Sequence, residues 1–465
     1  MAALLRVAYA IVPSQTHSDS IMMSSVQRNC RQRTMVVILT IVVLSVLFTI
    51  LYWSTGDFSA GQLLEKHFKF SKAAQSLDTE YHTCAAQPGA IKRGVLSALP
   101  SYRARPATND LDLMKKMLIN RLTDDYCYCK RMIPSHTSPA FLNNTRNPCW
   151  WENGSMQCLP YFYIIGFSKC ATTDMYSNLV WHPSVISGQK EPHWIDYLRF
   201  VENRMYLQNY TAHFKDMIGK IEMSAFSKGY SHGVFGDATP CTAWYSLYWP
   251  CFQGNQLSLQ EPEYTNADVV HRMVPTAKII VMIRDPIDRL YSRYLTWRMK
   301  VPHAAYQRPS PEAFHKLCVH AVALYQQCLK QGSPRQCAYN GTLYTQVILR
   351  LQEGMYSVFL KDWIRVFPKR QILLVSFEHY IKYKVETVSA VWSFLELEPA
   401  PEKTLDKLRK KAPVNNQNNV YETVGDMLPE TRSLLEQFYK PFQEELLDMI
   451  KTGTFTLARD LIKSL

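Results

Sequence analysis

The sequence predicts an α/β fold in which a parallel sheet is covered by helices on both faces. Three short runs rich in β-branched and aromatic residues are typical of buried strands, and they begin at Tyr161, Lys278 and Gln371. Each run leads through a polar turn into a segment of helical character. Strands that alternate with helices pair in parallel, and ligands of such sheets bind beyond the carboxyl ends of the strands. Functional residues are therefore expected at those ends.

Further elements follow from the same patterns. Short strands are predicted at 184–187 and within 233–240, and helices at 286–300 and 380–395, the first of which begins with a proline. Ahead of the sheet, a helix is predicted at 111–122. Residues 126–158 carry four cysteines, three prolines and two glycosylation sequons, and they are predicted to form a stapled surface cap.

A run of nineteen uncharged, mostly apolar residues at 35–53 (MVVILTIVVLSVLFTILYW) is long enough to cross a bilayer. Arg28, Arg31 and Arg33 precede it, and Asp57 is the first charge after it. The positive-inside bias then places the N-terminus in the cytosol and the body of the chain in the lumen. A cleaved signal peptide is disfavoured because the run is too long and too far from the N-terminus. The prediction is a single-pass type II signal anchor.

This anchor divides the chain into four predicted segments. Residues 1–34 form a basic cytoplasmic tail and residues 35–53 the transmembrane helix. Residues 54–110 lack sustained periodicity and contain several prolines, so they are predicted to be a luminal stem. The folded luminal domain is expected to span 111–465.

The cysteines and sequons agree with a luminal domain. Disulfides persist in oxidising compartments. Sequence does not fix the pairing, but local pairs are expected between Cys241 and Cys251 and between two of Cys318, Cys328 and Cys337. The cysteine spacing matches no zinc module. Four N-x-[S/T] sequons follow the apolar run and predict glycosylation in the secretory pathway, at Asn143, Asn153, Asn209 and Asn340.

The strand that begins at Tyr161 leads into a turn at 166–171, here called the anion loop, and then into a helix. Free N–H groups and the positive end of the dipole at a helix N-terminus attract anions. Lys169 adds a charge, and Thr172 and Thr173 add hydroxyl donors. A phosphate or sulfate site is predicted, although the spacing of a nucleotide-triphosphate P-loop is missing. The alternative is an ordinary strand–turn–helix with a solvated lysine.

A second candidate anion site follows the next long strand. Arg284 stands at the strand tip, and a helix that begins at Pro286 places Ser292 two turns along. A guanidinium and a hydroxyl in these positions are suited to bind a phosphate. An Arg284–Asp285 pair that caps the helix is the alternative. The formal net charge of +13 also favours a polyanionic partner, but it does not choose between nucleic acid, a membrane surface and an acidic glycan.

Together the two stretches resemble the nucleotide-binding signatures of the sulfotransferases that use 3′-phosphoadenylyl sulfate (PAPS). Residues 166–173 resemble the 5′-phosphosulfate loop of that family, and Arg284 with Ser292 resembles its 3′-phosphate site. The run KEPHW at 190–194 is similar, more narrowly, to Golgi glycan sulfotransferases of the heparan and chondroitin type. The resemblance extends from Tyr161 to the C-terminus, and it implies the P-loop-like sheet of the sulfotransferase fold.

The resemblance implies roles for individual residues on the donor side. Lys169 stabilises the oxygen that leaves between sulfate and nucleotide, as an electrostatic catalyst does. PAPS is expected to contact Ser168, Lys169, Cys170, Ala171, Thr172, Thr173, Arg284 and Ser292. Two of these positions depart from the family pattern, which usually has Pro at 168 and Gly at 171. The alanine matters if that residue adopts a positive φ.

On the acceptor side the resemblance implies that Glu191 deprotonates a sugar hydroxyl and that His193 assists it. The acceptor is expected to contact Lys190, His193, Asp237 and Thr239. No metal is required, because Lys, Arg and backbone N–H groups neutralise the phosphates of the donor. A solvated loop carboxylate is the alternative for Glu191, and a structural histidine for His193.

The implied activity is sulfuryl transfer from PAPS to a glycosaminoglycan hydroxyl, at C6 of N-acetylgalactosamine 4-sulfate in chondroitin or dermatan sulfate. The implied location is the Golgi membrane, with the glycan and the membrane as partners, no nucleic acid, and a homodimer compatible with the sequence. A heparan-type acceptor is an alternative. A nucleotide-triphosphate kinase is disfavoured by the missing P-loop glycine. A non-catalytic glycan-binding protein is disfavoured because it has no use for Lys169, Glu191, Arg284 and Ser292 together.

Overall fold

The computed structural model describes residues 139–201, 206–252, 254–255, 259–300, 309–414 and 423–458. The predicted tail, apolar run, stem and first helix, and residues 126–138 of the predicted cap, lie outside these residues. Among the helices of the described ranges, none combines the length and the apolar character needed to cross a membrane.

A five-stranded parallel sheet lies at the centre, in the order β4–β3–β5–β6–β7. Its three long strands are β3 (Phe162–Gly166), β5 (Lys278–Ile283) and β6 (Ile372–Ser376), and they are buried at every position except Lys278. Continuous apolar runs of this kind are what a parallel sheet covered on both faces requires. The short outer strands are β4 (Gly236–Asp237) and β7 (Thr456–Leu457). The predicted parallel α/β fold is confirmed.

Helices connect and cover these strands. Within the described residues the α-helices are, in chain order, α1 (Thr172–Leu179), α2 (Arg199–Val201), α3 (Leu207–Thr211), α4 (Lys215–Lys228), α5 (Asn266–Met273), α6 (Pro286–Lys300), α7 (Pro311–Leu329), α8 (Pro334–Ala338), α9 (Gly341–Gln346), α10 (Tyr356–Val366), α11 (Phe377–Lys382), α12 (Lys384–Phe394), α13 (Glu402–Lys410) and α14 (Pro429–Lys451). A π-helical turn, Trp194–Leu198, leads into α2, and a 3₁₀ turn, Leu351–Gly354, precedes α10.

A small antiparallel hairpin precedes the sheet. Its strands are β1 (Cys149–Glu152) and β2 (Ser155–Cys158), and the disulfide Cys149–Cys158 joins their outer ends. The two turn residues, Asn153 and Gly154, both have positive φ, at 49° and 76°. Asn-Gly is the residue pair that a two-residue hairpin turn favours, because both positions need positive φ. This hairpin forms the C-terminal part of the predicted cap.

The second described disulfide, Cys328–Cys337, confirms that two of the three neighbouring cysteines pair. The predicted Cys241–Cys251 pair is wrong, because Cys241 is a free thiol. Cys241 lies in the turn after β4, where its sulfur is close to His193 and Asp196. That turn is held against the sheet by the Ala243 N–H, which donates to the carbonyl of Ile165 at 2.7 Å.

Other differences from the predicted elements are local. The strand expected at 184–187 is reduced to one bridge between Val185 and Val234, and the strand expected within 233–240 has only the two residues of β4. The helix expected at 380–395 is divided into α11 and α12, which meet at Tyr383. The bounds of α6 match the prediction.

Candidate active site

The anion loop connects the carboxyl end of β3 to the N-terminus of α1. The Phe167 N–H donates to the carbonyl of Met282 on β5 at 2.7 Å, so the loop begins as a continuation of the sheet. Lys169 and Ala171 then adopt left-handed backbone angles, with φ of 68° and 63°. This path brings the first N–H groups of α1 to the edge of the sheet where ligands of parallel sheets bind.

A buried ion pair supports the loop from below. Glu353, in the 3₁₀ turn before α10, lies 2.9 Å from the guanidinium of Arg289 on α6, and the two side chains are 1% and 0% exposed. The Ser168 N–H donates to the Glu353 carboxylate at 2.9 Å, and the Ser168 hydroxyl donates to the same oxygen. Burial alone would lower the pKa of Arg289, but the charge of Glu353 outweighs burial and raises it. Glu353 thus fixes the position of Ser168.

Within the loop, Cys170 is fully buried and Lys169 is half-buried. Burial raises the pKa of the Cys170 thiol to about 12, so the thiol is neutral. Its contribution to an anion site is therefore limited to its backbone. Thr172 is buried and Thr173 is half-buried at the start of α1.

Ala171 occupies the N-cap position of α1 with φ of 63°, in the left-handed region. This region costs a residue with a Cβ atom roughly 1–2 kcal/mol, whereas glycine adopts it freely. The departure from the family pattern at this position therefore introduces backbone strain at the start of the helix.

Arg284, at the end of β5, lies next to the anion loop. Its guanidinium contacts the carbonyl of Lys169 at 3.4 Å and lies over the Phe377 ring, 4.5 Å from the centroid. The Tyr356 hydroxyl donates to the Arg284 carbonyl at 2.9 Å, and the Tyr356 ring packs on Phe167. Loop and arginine are thus held together, as two parts of one anion site would need to be.

Asp285, not Arg284, caps the following helix. Its carboxylate accepts from the N–H groups of Ile287 and Asp288 at 3.0 and 2.8 Å. Ser292 is buried on α6. A contact between Ser292 and a phosphate stays a prediction.

The predicted acceptor residues lie at the end of β4, next to the loop. The Lys190 carbonyl accepts from the Ala238 N–H at 2.9 Å, and the His193 N–H contacts the Thr239 hydroxyl at 3.4 Å. Gly166, where the loop begins, packs so closely on the same turn that an added Cβ would come within 2.7 Å of the Ala243 Cβ. The anion loop and the 190–193 segment are therefore both held against one turn.

The side chains of this segment alternate in charge. The Lys190 ammonium donates a hydrogen bond to one carboxylate oxygen of Glu191. The other oxygen of Glu191 lies 3.5 Å from Nε2 of His193. Nδ1 of His193 lies 2.8 Å from the carboxylate of Asp196, which is fully buried in the π-helical turn. His193 itself has a left-handed backbone, with φ of 53°. The arrangement Lys190–Glu191–His193–Asp196 forms a continuous chain of ionic partners.

These contacts shift the pKa values strongly. Burial opposes ionisation of Glu191, but the hydrogen bond with His193 and the attraction of Lys190 outweigh it and lower its pKa to about 2. Burial likewise opposes a charge on His193, but its contacts with Asp196 and Glu191 raise its pKa to about 10. Burial lowers the pKa of Lys190, against the attraction of Glu191. At neutral pH the segment therefore holds an ionised Glu191 and a protonated His193.

Asp237 and Thr239 lie beneath this segment and are each 1% exposed. The Asp237 carboxylate accepts from the Tyr210 hydroxyl at 2.7 Å and from the Thr239 N–H at 2.9 Å. Burial outweighs these hydrogen bonds and raises the pKa of Asp237 to about 6. In this conformation both residues support the turn, and their contact with an acceptor stays a prediction.

Of the predicted glycosylation sites, Asn143 and Asn153 are exposed, and Asn209 and Asn340 are half-buried. The side chain of Asn340 also caps α9 by accepting from the Leu343 N–H at 2.9 Å.

Sequence reasoning missed Arg289, Glu353, Asp196 and Cys241. Glu353 is separated from Ser168 by 185 residues, so no local pattern connects them. Asp196 could have been predicted from the sequence, because an acid three residues after a histidine at a turn is placed to form a hydrogen bond with the imidazole ring. Cys241 was considered only as a disulfide partner.

The Sulfotransferase domain model matches residues 160–432, which is more than half of the chain. The chain belongs to the sulfotransferase family. It is 30% identical over 432 residues to carbohydrate sulfotransferase 15 of Homo sapiens, a match that covers 76% of this chain and 75% of that protein. It is 34% identical over 316 residues to carbohydrate sulfotransferase 15 of Mus musculus, covering 64% of this chain and 55% of that protein.

A solved sulfotransferase from Alicyclobacillus acidocaldarius aligns with a TM-score of 0.40 at 21% identity, covering 66% of this chain and 98% of that chain. The resemblance to carbohydrate sulfotransferases that the motifs predict, and with it the enzyme class, is confirmed by the family match and by the curated relatives. The kinase and the non-catalytic alternatives are thereby set aside.

We expect Glu353→Gln to destabilise the protein by about 3–5 kcal/mol, because it leaves the Arg289 charge buried without a partner. The glutamine oxygen can still accept from Ser168, so the change isolates the charge. Urea unfolding measures the loss. Glu445→Gln is the matched control, since Glu445 pairs with Lys361 at the surface and such pairs contribute at most about 1 kcal/mol. Equally small losses of stability in the two variants would contradict a stabilising role of the buried Arg289–Glu353 pair.

We expect Ala171→Gly to stabilise the fold by up to about 1 kcal/mol, since relief of the left-handed strain exceeds the extra flexibility of glycine in the unfolded chain. Ala225→Gly, inside α4, is the control with the opposite sign, because glycine in a helix interior costs about 1 kcal/mol. Thermal unfolding of both variants measures the two effects. A lower unfolding temperature for Ala171→Gly would contradict backbone strain at Ala171.

We expect His193→Gln to lower the unfolding temperature most below pH 6.5. The folded-state pKa of His193, about 10, lies above its ordinary value of about 6.5, so its stabilisation is complete below the lower value and lost as pH rises through the higher one. Unfolding measured across this window should show the deficit of the variant shrinking. His232→Gln removes an exposed ring that packs on Tyr230 and is the control. A deficit that is constant with pH would exclude the linkage.

Proposed function

We propose that the protein transfers a sulfuryl group from PAPS to a glycosaminoglycan, at the C6 hydroxyl of N-acetylgalactosamine 4-sulfate in chondroitin or dermatan sulfate. One observation carries the catalytic part of this proposal. The anion loop, through Gly166, and the 190–193 segment, through His193, pack against the same turn after β4. A donor on the loop and a hydroxyl at Glu191 are then side by side. The motifs and the carbohydrate sulfotransferase relatives support the substrate class.

On the donor side, the N–H groups of residues 169–173, the Lys169 ammonium and the Arg284 guanidinium bind the phosphates of PAPS. Ser168 has a supporting role, since both its donors are directed to Glu353. As the bond between sulfur and the bridging oxygen breaks, negative charge grows on the leaving phosphate. Lys169 stabilises that charge, which is the effect by which a fixed cation lowers a transfer barrier. The role of these residues requires no metal.

On the acceptor side, Glu191 takes the proton of the attacking hydroxyl. A carboxylate with a pKa of about 2 is a weak base, so its cationic partners have to be drawn away before it acts. The Lys190 ammonium is bonded to Glu191 and is one such partner. We infer that an anionic group of the acceptor, such as a 4-sulfate, attracts Lys190 away from Glu191. The acceptor then raises the basicity of its own catalyst.

The same proposal includes the location. The apolar run at 35–53 and the arginines before it support a type II anchor in the Golgi membrane, with the folded domain in the lumen. The two described disulfides are compatible with an oxidising compartment. A homodimer stays a prediction.

We expect Glu191→Gln to reduce sulfate transfer by about 10²–10⁴-fold while leaving donor binding unchanged, because only the base is lost. Lys169→Ala should reduce both transfer and donor affinity. Transfer of labelled sulfate from PAPS to 4-sulfated chondroitin, dermatan and heparan measures the activity. Glu436→Gln, an exposed change on α14, is the control.

The acceptor panel separates the parts of the proposal. Unsulfated chondroitin should be a poorer acceptor than 4-sulfated chondroitin, and Lys190→Met should remove most of that difference. Transfer to heparan alone would overturn the acceptor and keep the chemistry. Full transfer by Glu191→Gln would overturn the catalytic role of Glu191.

A further inference from the structure

A free thiol lies next to the predicted catalytic histidine. Cys241 is half-buried in the turn after β4 and has no disulfide partner. Its sulfur, a ring nitrogen of His193 and a carboxylate oxygen of Asp196 all lie within 4.8 Å of one another. No part of the transfer reaction described above uses this thiol.

The fold, and not chance on a flexible surface, brings the three side chains together. His193 and Asp196 stand at the start of the π-helical turn, and Asp196 is fully buried. Cys241 belongs to the turn whose Thr239 hydroxyl contacts the His193 N–H. The donor atoms are therefore presented by two short backbone segments that contact each other.

The donor set is that of a zinc-class cation. An imidazole nitrogen, a thiolate and a carboxylate are the three ligand types that zinc uses, and three protein ligands leave one position open. Nδ1 of His193 already lies 2.8 Å from Asp196, and a ring nitrogen of His193 lies within 4.8 Å of the thiol. Its Nε2 lies 3.5 Å from Glu191, so a second carboxylate is placed to orient the ring, as commonly occurs around zinc-bound histidines.

We propose that His193, Asp196 and Cys241 bind Zn²⁺ or a cation of the same class, and that this binding inhibits the enzyme. The cation replaces the proton that Nδ1 of His193 shares with Asp196, and that proton and the proton of the Cys241 thiol are released to solvent when the nitrogen and the sulfur coordinate. The charges of Asp196 and the thiolate balance those of the cation. A bound cation immobilises His193 and occupies the space beside Glu191. Only the inhibition depends on the proposed function; the binding does not.

Co²⁺ alone is the probe, because a cobalt–thiolate bond produces an absorption band that cobalt bound to oxygen or nitrogen does not. The purified full-length protein, treated with a chelator, is titrated with Co²⁺ and then with Zn²⁺. We expect a thiolate band that Zn²⁺ abolishes. Cys241→Ser should remove the part of the thiolate absorption band that comes from this site. It should also weaken Zn²⁺ binding at least about tenfold, as mutations in a metal site typically do.

Cys318→Ser is the matched control, since Cys318 is a free thiol buried on α7 and absent from the cluster. Its spectrum should equal that of the unmodified protein. A thiolate band that is unchanged in Cys241→Ser would overturn the site, as would a spectrum without any thiolate band. Neither measurement requires transfer activity, so a failed acceptor assignment does not affect it.

Inhibition is the second readout. Zn²⁺ should inhibit sulfate transfer by the unmodified protein and by Cys318→Ser, and a chelator should restore the rate. Cys241→Ser should keep its basal rate and require at least about tenfold more Zn²⁺ for the same inhibition. Equal sensitivity of all three proteins would overturn the regulatory role.

Discussion

The buried pair between Arg289 and Glu353 is the interaction on which the rest of the proposed donor site depends. It joins α6, which follows β5, to the turn before α10, and through Ser168 it fixes the loop that follows β3. Three segments distant in sequence thus share one charge pair. An isolated charge at either position is costly in an interior of low dielectric, so neither residue tolerates loss of the other. The pair holds Ser168 in place, and through it the loop whose N–H groups are proposed to bind the donor.

Sequence patterns were sufficient for the elements whose signal is local. The runs that became β3, β5 and β6 are continuously apolar because both faces of the sheet are covered, and the proline at the start of α6 marked its first residue. The short strands were poorly predicted. β4 has two residues, and the 184–187 segment makes a single bridge, because their pairing depends on neighbours and not on their own composition.

The residues of the candidate site, like the strands and helices, were predictable from the sequence where the signal is local. The motif residues Lys169, Glu191, His193 and Arg284 follow strands or turns, and topology brings them to one edge of the sheet. The side chains that support these residues cannot be identified from the sequence, because they come from distant parts of the chain. Glu353 acts on Ser168 across 185 residues, and the thiol of Cys241 reaches His193 only because two turns contact each other. Cysteine spacing favoured a disulfide at Cys241, since spacing carries no information on where a side chain points.

The two roles inferred for His193 place the acceptor and a cation in competition. When an acceptor draws Lys190 away, Glu191 loses one cationic partner and depends more on His193 for neutralisation. A cation held by Nδ1 of His193 and by Asp196 adds no net positive charge, because Asp196 and the thiolate balance it, but it immobilises His193 and occupies the space beside Glu191. Coupling between two ligands is reciprocal, so an acceptor that needs the space beside Glu191 must weaken the binding of the cation to the same extent. One histidine between two carboxylates is enough to produce this antagonism, without any change of fold.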